Sequence, residues 1–314
     1  MRPAPGLFTH PDCLLHESGP GNPERPERLR ALIEHLEQVG LWEDLEILRA
    51  APATSLDLEA VHRRDYLQRV ETRFREGASF VDSADANGNH ATFAATLLAS
   101  GAAIEATRKV LSGDLQRAFV MLRPPGHHAE VDQAMGFCFS NHVAIAARAA
   151  QAEHGLERVA IVDFDVHHGN GTQHIFEEDG SVFYASLHQW PHYPGTGATE
   201  ERGIGEGEGT TLNCPLPAGS GNREWQAALE ERVIPAIDRF APELLLISAG
   251  FDAHQRDLLS ETRLTSEAFG HMTRALVNLA NQHGEGRVIS ILEGGYDLVG
   301  LTEGVQAHLE VLAS

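Results

Sequence analysis

The sequence predicts an α/β protein built on a parallel sheet, with helices on both faces. Three observations carry this. Short apolar, β-branched runs recur along the chain, as at Val159-Ala160-Ile161-Val162, and such runs suit strands buried on both faces. Stretches of helical periodicity separate them, which is the alternation of a parallel sheet with crossover helices. Polar clusters stand where the runs give out. In an open α/β sheet, ligands bind at that C-terminal edge of the strands.

At 314 residues the chain can bury a large core, and no repeat, low-complexity tract or linker divides it, so one domain over residues 1–314 is expected. No apolar run approaches the roughly 18 residues that mark a membrane span. The start, Met1-Arg2-Pro3-Ala4-Pro5, reads as leading into no apolar signal segment. Cys13, Cys138 and Cys214 are odd in number and far apart, which points to a reducing cytoplasm and no disulfide frame. The formal net charge of −21, with no Lys/Arg-rich patch, argues against direct nucleic-acid binding. It suits a cationic substrate, and equally an acidic surface kept for solubility.

In order, His10–Arg28 is a Pro/Gly-rich loop, after which Pro26 opens a helix striped by Leu29, Leu32, Ile33 and Leu36. Residues 59–75 read as a helix with Val61, Tyr66, Val70 and Phe74 inward. Residues 77–89 read as a loop. An Ala-rich helix over 91–111 is ended by Gly113. A strand at 118–122 runs into Arg123-Pro124-Pro125-Gly126-His127-His128, and a helix follows Asn141 to about His154. Further strands are expected at 181–187, 244–249 and 288–292, with helices near 222–239, 265–283 and 298–312. Gly203–Gly209 is a flexible loop and not a phosphate cradle, because Glu206 and Glu208 would repel phosphate and no helix signal follows.

Everything is organised around Val159–Gly171. The buried run ends in Asp163, Asp165, His167 and His168, and alternation would put Asp163, Asp165 and His167 on one face. Buried carboxylates need a cation or proton partner, which favours a metal site over an ion-pair cluster. Asp165, His167 and Asp252 form a three-ligand N/O set. Catalytic zinc takes three protein ligands and leaves a position open, and Fe(II), Mn or Co suit two carboxylates and one His equally. Such a metal polarises a carbonyl, His127 and His128 are placed to move protons, and Tyr296, after Gly294-Gly295, can donate to an oxyanion. Together they make a kit for metal-assisted amide hydrolysis. His168 points to the other face and reads as structural. His188, His192 and His254 read as loop or supporting residues, and Cys138 as packing beside the site.

These motifs resemble the histone deacetylase superfamily, in particular the bacterial histone-deacetylase-like and acetylpolyamine amidohydrolases. The carrying segments are Arg123–His128, Gly136-Phe137-Cys138, Asp163–Gln173, Tyr193–Gly197, Ser248–Ala253 and Glu293–Tyr296, in family order. The resemblance implies the arginase/deacetylase fold, one α/β domain around an eight-stranded parallel sheet. It implies Asp165, His167 and Asp252 as ligands of one Zn2+, with Fe2+ or Mn2+ also fitting. His127 and His128 match the tandem histidines that bind the attacking water, and Tyr296 the oxyanion donor. Phe137 and Tyr193 match the walls of an acyl-lysine tunnel, beside Gly136. Asp163 matches the acidic partner of His127 and, with Ser186, a structural K+ site. Asp85 and Leu259 fall at rim positions, and Arg28 near an internal channel.

The chain departs from the family pattern at several positions. Asn170 stands where one branch has an Asp partner for the second histidine, and resembles the class II branch. Phe164 replaces a frequent Trp, and Asn22 a frequent His. Tyr193 is often Phe, so its hydroxyl in the tunnel is expected to alter acyl preference. An Asp partner stabilises imidazolium. His127 faces Asp163 and His128 only a neutral Asn170, so His128 is expected to be the general base and His127 mainly electrostatic. The implied activity is zinc-dependent deacetylation of acyl-lysine in peptides or proteins. Leu259, which offers no carboxylate to a polyamine ammonium, favours that substrate over the alternatives, acetylated polyamines and other small acyl-amides. An arginase-type ureohydrolase is disfavoured by Asn170 and by the lack of a second late Asp. A catalytically silent acyl-lysine binder is disfavoured by the complete residue set. Oligomeric state is left open.

Overall fold

The structure, a computed structural model, describes residues 5–314. Met1–Ala4, where the absence of a signal segment was read, lies outside the described residues. Eight strands form one parallel sheet in the order β2-β1-β3-β8-β7-β4-β5-β6. They are β1 (Gly6–Phe8), β2 (Glu46–Leu48), β3 (Arg117–Val120), β4 (Val159–Asp163), β5 (Val182–Gln189), β6 (Thr211–Leu216), β7 (Leu244–Ala249) and β8 (Val288–Leu292). Every residue of β3, β4, β5, β7 and β8 is buried. A strand can be apolar along its whole length only when helices cover both faces.

The helices are α1 (Glu27–Gln38), α2 (Ser55–Leu58), α3 (Arg64–Arg75), α4 (Thr92–Ser112), α5 (His142–His154), α6 (Asn170–Phe176), α7 (Asn222–Ala228), α8 (Ile234–Phe240), α9 (Ser266–His283) and α10 (Leu298–Leu312). Gly113 ends α4 in the left-handed conformation, as a C-terminal glycine does.

The strand order explains the position of the site. Chain order would run β3, β4, β7, β8, but the last two insert between the first two. The register pairs Val120 with Ile291, Ile291 with Ser248 and Ser248 with Asp163. The four strands that end in polar motifs are therefore contiguous, and their ends converge at a topological switch point.

The structure differs from the sequence reading in seven places. The edge strands β1 and β2 have three residues each, too few to show periodicity. β6 carries Pro215, which an edge strand tolerates. The helix expected over 59–75 begins only at Arg64, because α2 before it is a separate turn closed by Thr54, whose hydroxyl accepts from Asp57 N while Asp57 accepts from Thr54 N. The helix near 222–239 is split by a π turn at Leu229–Val233, ahead of Pro235, which has no N–H to donate. Gly203–Gly209 and His10–Arg28 each hold one 3-10 turn, at Gly205–Gly207 and Pro11–Leu15.

One buried ion cluster beneath the site was not read from the sequence. Glu24 is fully buried and accepts from Arg123 through both carboxylate oxygens, and from Arg28 at 3.2 Å and Ser18 at 3.1 Å. Arg123 also donates to the carbonyls of Cys13 and His16. The cluster fixes the first loop against the end of β3.

Candidate active site

β4 ends at Asp163, so alternation does not extend to residues 165 and 167, and Asp163 does not share their site. Its Oδ2 accepts from His127 Nδ1 at 3.0 Å and from the Tyr184 hydroxyl at 3.1 Å. The turn after the strand instead brings Asp165 and His167 to Asp252 beyond β7. Their ligand atoms lie within 4.8 Å of one another, and all three residues are buried. Asp165 Oδ1 is 3.0 Å from His167 Nδ1, and its Oδ2 accepts from Gly294 N at 2.8 Å. Asp252 Oδ1 accepts from Val166 N, whereas its Oδ2 is buried without a hydrogen-bond partner, 3.2 Å from His167 Nδ1.

An orphaned carboxylate oxygen is costly, and two buried carboxylates facing one imidazole make a candidate site for a cation. Burial pushes the His167 pKa down, but Asp165 and Asp252 outweigh it and raise it to about 10. The same field that holds a proton there would hold a metal. A Cβ at Gly294 would lie 2.0 Å from Asp252 Oδ2, so only glycine lets this loop approach.

The tandem histidines sit with ring centroids 4.0 Å apart and differ electrostatically. Burial lowers the His127 pKa, but Asp163, Asp165 and Glu293 together lift it to about 10. Burial lowers that of His128 well below its usual value, and the neighbouring His127 and His167 push it the same way. His128 Nδ1 meets Asn170 Oδ1 at 2.7 Å, and the Asn170 amide donates to Glu130. The Glu130 carboxylate thus fixes the amide orientation, so His128 Nδ1 carries the hydrogen and Nε2 is the acceptor nitrogen.

Glu130 was not singled out from the sequence, and neither were two other supports. Glu293 Oε2 accepts from Gly126 N and His127 N at 2.7 and 3.1 Å, which holds the histidine loop. Asp257 accepts from Tyr296 N and Asp297 N through Oδ2 and from Leu259 N through Oδ1, tying the rim to the tyrosine loop. The position of Glu293 in Glu293-Gly294-Gly295-Tyr296 was the available signal for the first. For Glu130 and Asp257 the sequence offered none. Arg28 donates to the carbonyls of Glu293 and Gly295, and its guanidinium lies 4.9 Å from the Tyr296 ring centroid.

Above these groups lies a cavity of about 300 Å3, within the usual range for small-molecule sites. Gly136, Phe137, Tyr193, Asp85 and Leu259 line it together with His128, His167, Tyr296 and His192. Phe137 faces Tyr296 at 5.8 Å, and Tyr193 meets His128 edge-on at 5.1 Å. His192, read as a loop or supporting residue, stands beside the metal-site histidine. Its ring stacks on His167 at 5.1 Å and its Nε2 meets the Leu259 carbonyl. The Tyr193 hydroxyl, expected in the tunnel, turns to the rim and donates to Asp85 Oδ2 at 2.8 Å. Gly136 has φ 55°, and a Cβ there would collide with His128 at 2.3 Å.

Ser186 pairs in register with Asp163, and its hydroxyl is 2.9 Å from His188 Nδ1. His168 is held by Thr196 and Gln173, away from the acidic pair, and His254 by Ser266. Cys138 is buried.

The model of the histone deacetylase domain matches residues 22–312. A probable deacetylase of Archaeoglobus fulgidus is 40% identical over 297 residues, which cover 94% of this chain and 82% of that protein. The Homo sapiens polyamine deacetylase HDAC10 is 38% identical over 317 residues, covering 98% of this chain and 46% of that protein. The crystal structure of the HDA15 HD domain superposes with a TM-score of 0.93 at 37% identity, over 99% of this chain and 88% of that one. The chain belongs to the histone deacetylase domain family and has the arginase/deacetylase fold.

Proposed function

We propose that this chain is a metal-dependent amidohydrolase that removes acetyl and related acyl groups from amines, with acyl-lysine in peptides or proteins as its main substrate. The observation that carries this is the buried Asp165/His167/Asp252 set, with its orphaned Asp252 Oδ2, at the base of a narrow cavity that His128 and Tyr296 also line. Residues 1–314 act in this proposal as one catalytic domain.

Asp165, His167 and Asp252 would hold Zn2+, or Fe2+ or Mn2+, which when bound supplies Lewis-acid polarisation of the amide carbonyl. Phe137 and Tyr193 flank a straight acyl-amine chain and exclude water from it. His128 takes a proton from the attacking water through Nε2 and returns it to the departing amine, so amide and water become carboxylate and amine. His127, kept charged by Asp163, holds positive potential beside the reacting centre. The Tyr296 hydroxyl donates to the oxygen that gains charge. Asp163 and Ser186 would contribute to a structural K+ site. The three cysteines are free and buried, in keeping with a reducing compartment such as the cytoplasm.

A second reading, deacetylation of polyamines, is favoured by the net charge of −21 and by the name of the human relative. Turnover of acetyl-lysine peptides, N-acetylputrescine and N8-acetylspermidine by the metal-loaded protein separates the two. Faster peptide turnover supports the first, and faster polyamine turnover replaces it with the second.

A further inference from the structure

A second cavity, of about 430 Å3, opens where β5 and β6 begin, at the end of the sheet opposite the tunnel, and no residue lines both. Three arginines line it. Arg232 lies in the π turn and Arg239 in α8. Arg232, Ala236 and Phe240 recur at the four-residue spacing of one helix face, and Arg239 adjoins them. Phe240 packs on Phe183 of β5, with ring centroids 5.4 Å apart. Arg202 joins from the loop between β5 and β6.

The loop that carries Arg202 is tied down. The Glu201 carboxylate accepts from Gly197 N and Ala198 N at 3.0 and 3.1 Å, and from the Gln173 amide. The Arg202 carbonyl accepts from Gly209 N, and the Glu177 carbonyl from Ile204 N, both at 2.7 Å. A Cβ at Gly203 or Gly207 would strike main chain, so this turn closes only with glycine there.

The chain has 45 Asp and Glu against 24 Lys and Arg, and Arg108, Arg148 and Arg256 are each paired with a carboxylate. None of the three cavity arginines is. Arg232 donates to the Asn213 carbonyl at 2.9 Å, and among the described residues the side chains of Arg202 and Arg239 make no hydrogen bond or ion pair. Glu208 is the one carboxylate that lines the cavity with them. Like charges gathered in this way repel. An anion that meets all three removes that repulsion and receives forked, charge-assisted N–H donors, which suit the oxygens of a phosphate. The volume is that of a small-molecule site, and the apolar wall of Phe183, Leu212 and Phe240 suits an organic group.

We propose that this cavity binds a small organic phosphate, with the phosphate on Arg202, Arg232 and Arg239 and the organic part along Phe183 and Phe240. Because the two cavities share no residue, this ligand and a tunnel substrate occupy the protein together.

Calorimetric titration of the metal-loaded full chain tests this with four compounds: AMP, phenyl phosphate, adenosine and inorganic phosphate. The two esters are expected to bind with Kd below about 1 mM, and adenosine and inorganic phosphate about tenfold more weakly or worse. Arg202→Gln and Arg239→Gln should each weaken AMP about tenfold, and Gln at all three positions should abolish its binding. The three side chains are exposed, so these variants should keep the wild-type Tm without ligand. A hundredfold excess of AMP over its Kd should raise the wild-type Tm by about 4 °C and leave that of the triple variant unmoved. No binding of either ester at about 10 mM, or an AMP Kd unmoved in the triple variant, overturns the proposal. Inorganic phosphate binding as tightly as AMP overturns the role of the apolar wall, and adenosine binding as tightly overturns that of the arginines.

Discussion

Replacing Glu24 by Gln keeps the shape of the buried cluster but removes its only carboxylate. In the native protein Arg123, Arg28 and Glu24 have no exposed side-chain surface, and Glu24 is ion-paired with both guanidinium groups. The glutamine carbonyl can still accept one N–H, but its amide group faces donors with donors. Removing one partner of a buried ion pair costs about 3–5 kcal/mol. For a chain of this length the unfolding entropy near Tm is on the order of 0.7 kcal/mol/K, so Tm should fall by about 6 °C. The effect should also reach the site, because Arg28 holds the Glu293 and Gly295 carbonyls beneath Tyr296. Thermal unfolding followed by circular dichroism at fixed metal concentration gives the first number, and deacylation at 25 °C the second. A Tm within about 1 °C of wild type would show that the two arginines find water or other partners, and would refute this view of the cluster.

Four further outcomes are expected. Burial lowers His62, His142 and His188 to about 4 and His308 to about 3. Each binds a proton in the unfolded chain before it does so in the folded one, so stability is full above pH 6.5 and is lost as pH falls toward 4. Glu293 and Asp252, each raised to about 7 by burial, work in the opposite sense over much of that range and reduce the net loss. Denaturant titrations at pH 7, 6 and 5 measure it, and a flat series would contradict the assigned histidine environments. Asn170→Asp should raise the His128 pKa by about one unit and move the acid limb of kcat/KM to higher pH, whereas an unmoved limb would exclude His128 as the base. Tyr296→Phe should lower kcat by about 10²–10³-fold at unchanged metal content, and a loss confined to KM would remove it from the oxyanion role. Gly136→Ala should abolish turnover while the protein still folds, since its Cβ meets His128. Retained activity would mean that the loop gives way.

How much was legible follows from what makes a sequence signal. The buried strands β4, β7 and β8 announced themselves, because burial on both faces demands unbroken apolar runs. The polar residues at their ends were legible for the same reason, since charge is conspicuous beside such runs. The order of the strands was not, and it is that order which makes Asp252 a neighbour of Asp165. Residues that act by holding another residue in place, and carry no motif of their own, were invisible. Glu130 and Asp257 look like ordinary loop acids, and only their partners distinguish them. The aim of the Tyr193 hydroxyl was misread because a side chain 108 residues away in sequence decides it.

The central claim is tested most directly by release of acetate and free amine from an acetyl-lysine peptide, with bound metal measured in the same sample. The account predicts equal amounts of both products from the zinc-loaded protein, loss of turnover on chelation, recovery on adding metal back, and loss of metal and turnover together in Asp252→Asn. Folded, metal-loaded protein that releases no acetate from the peptide or from any acetylated amine would contradict it.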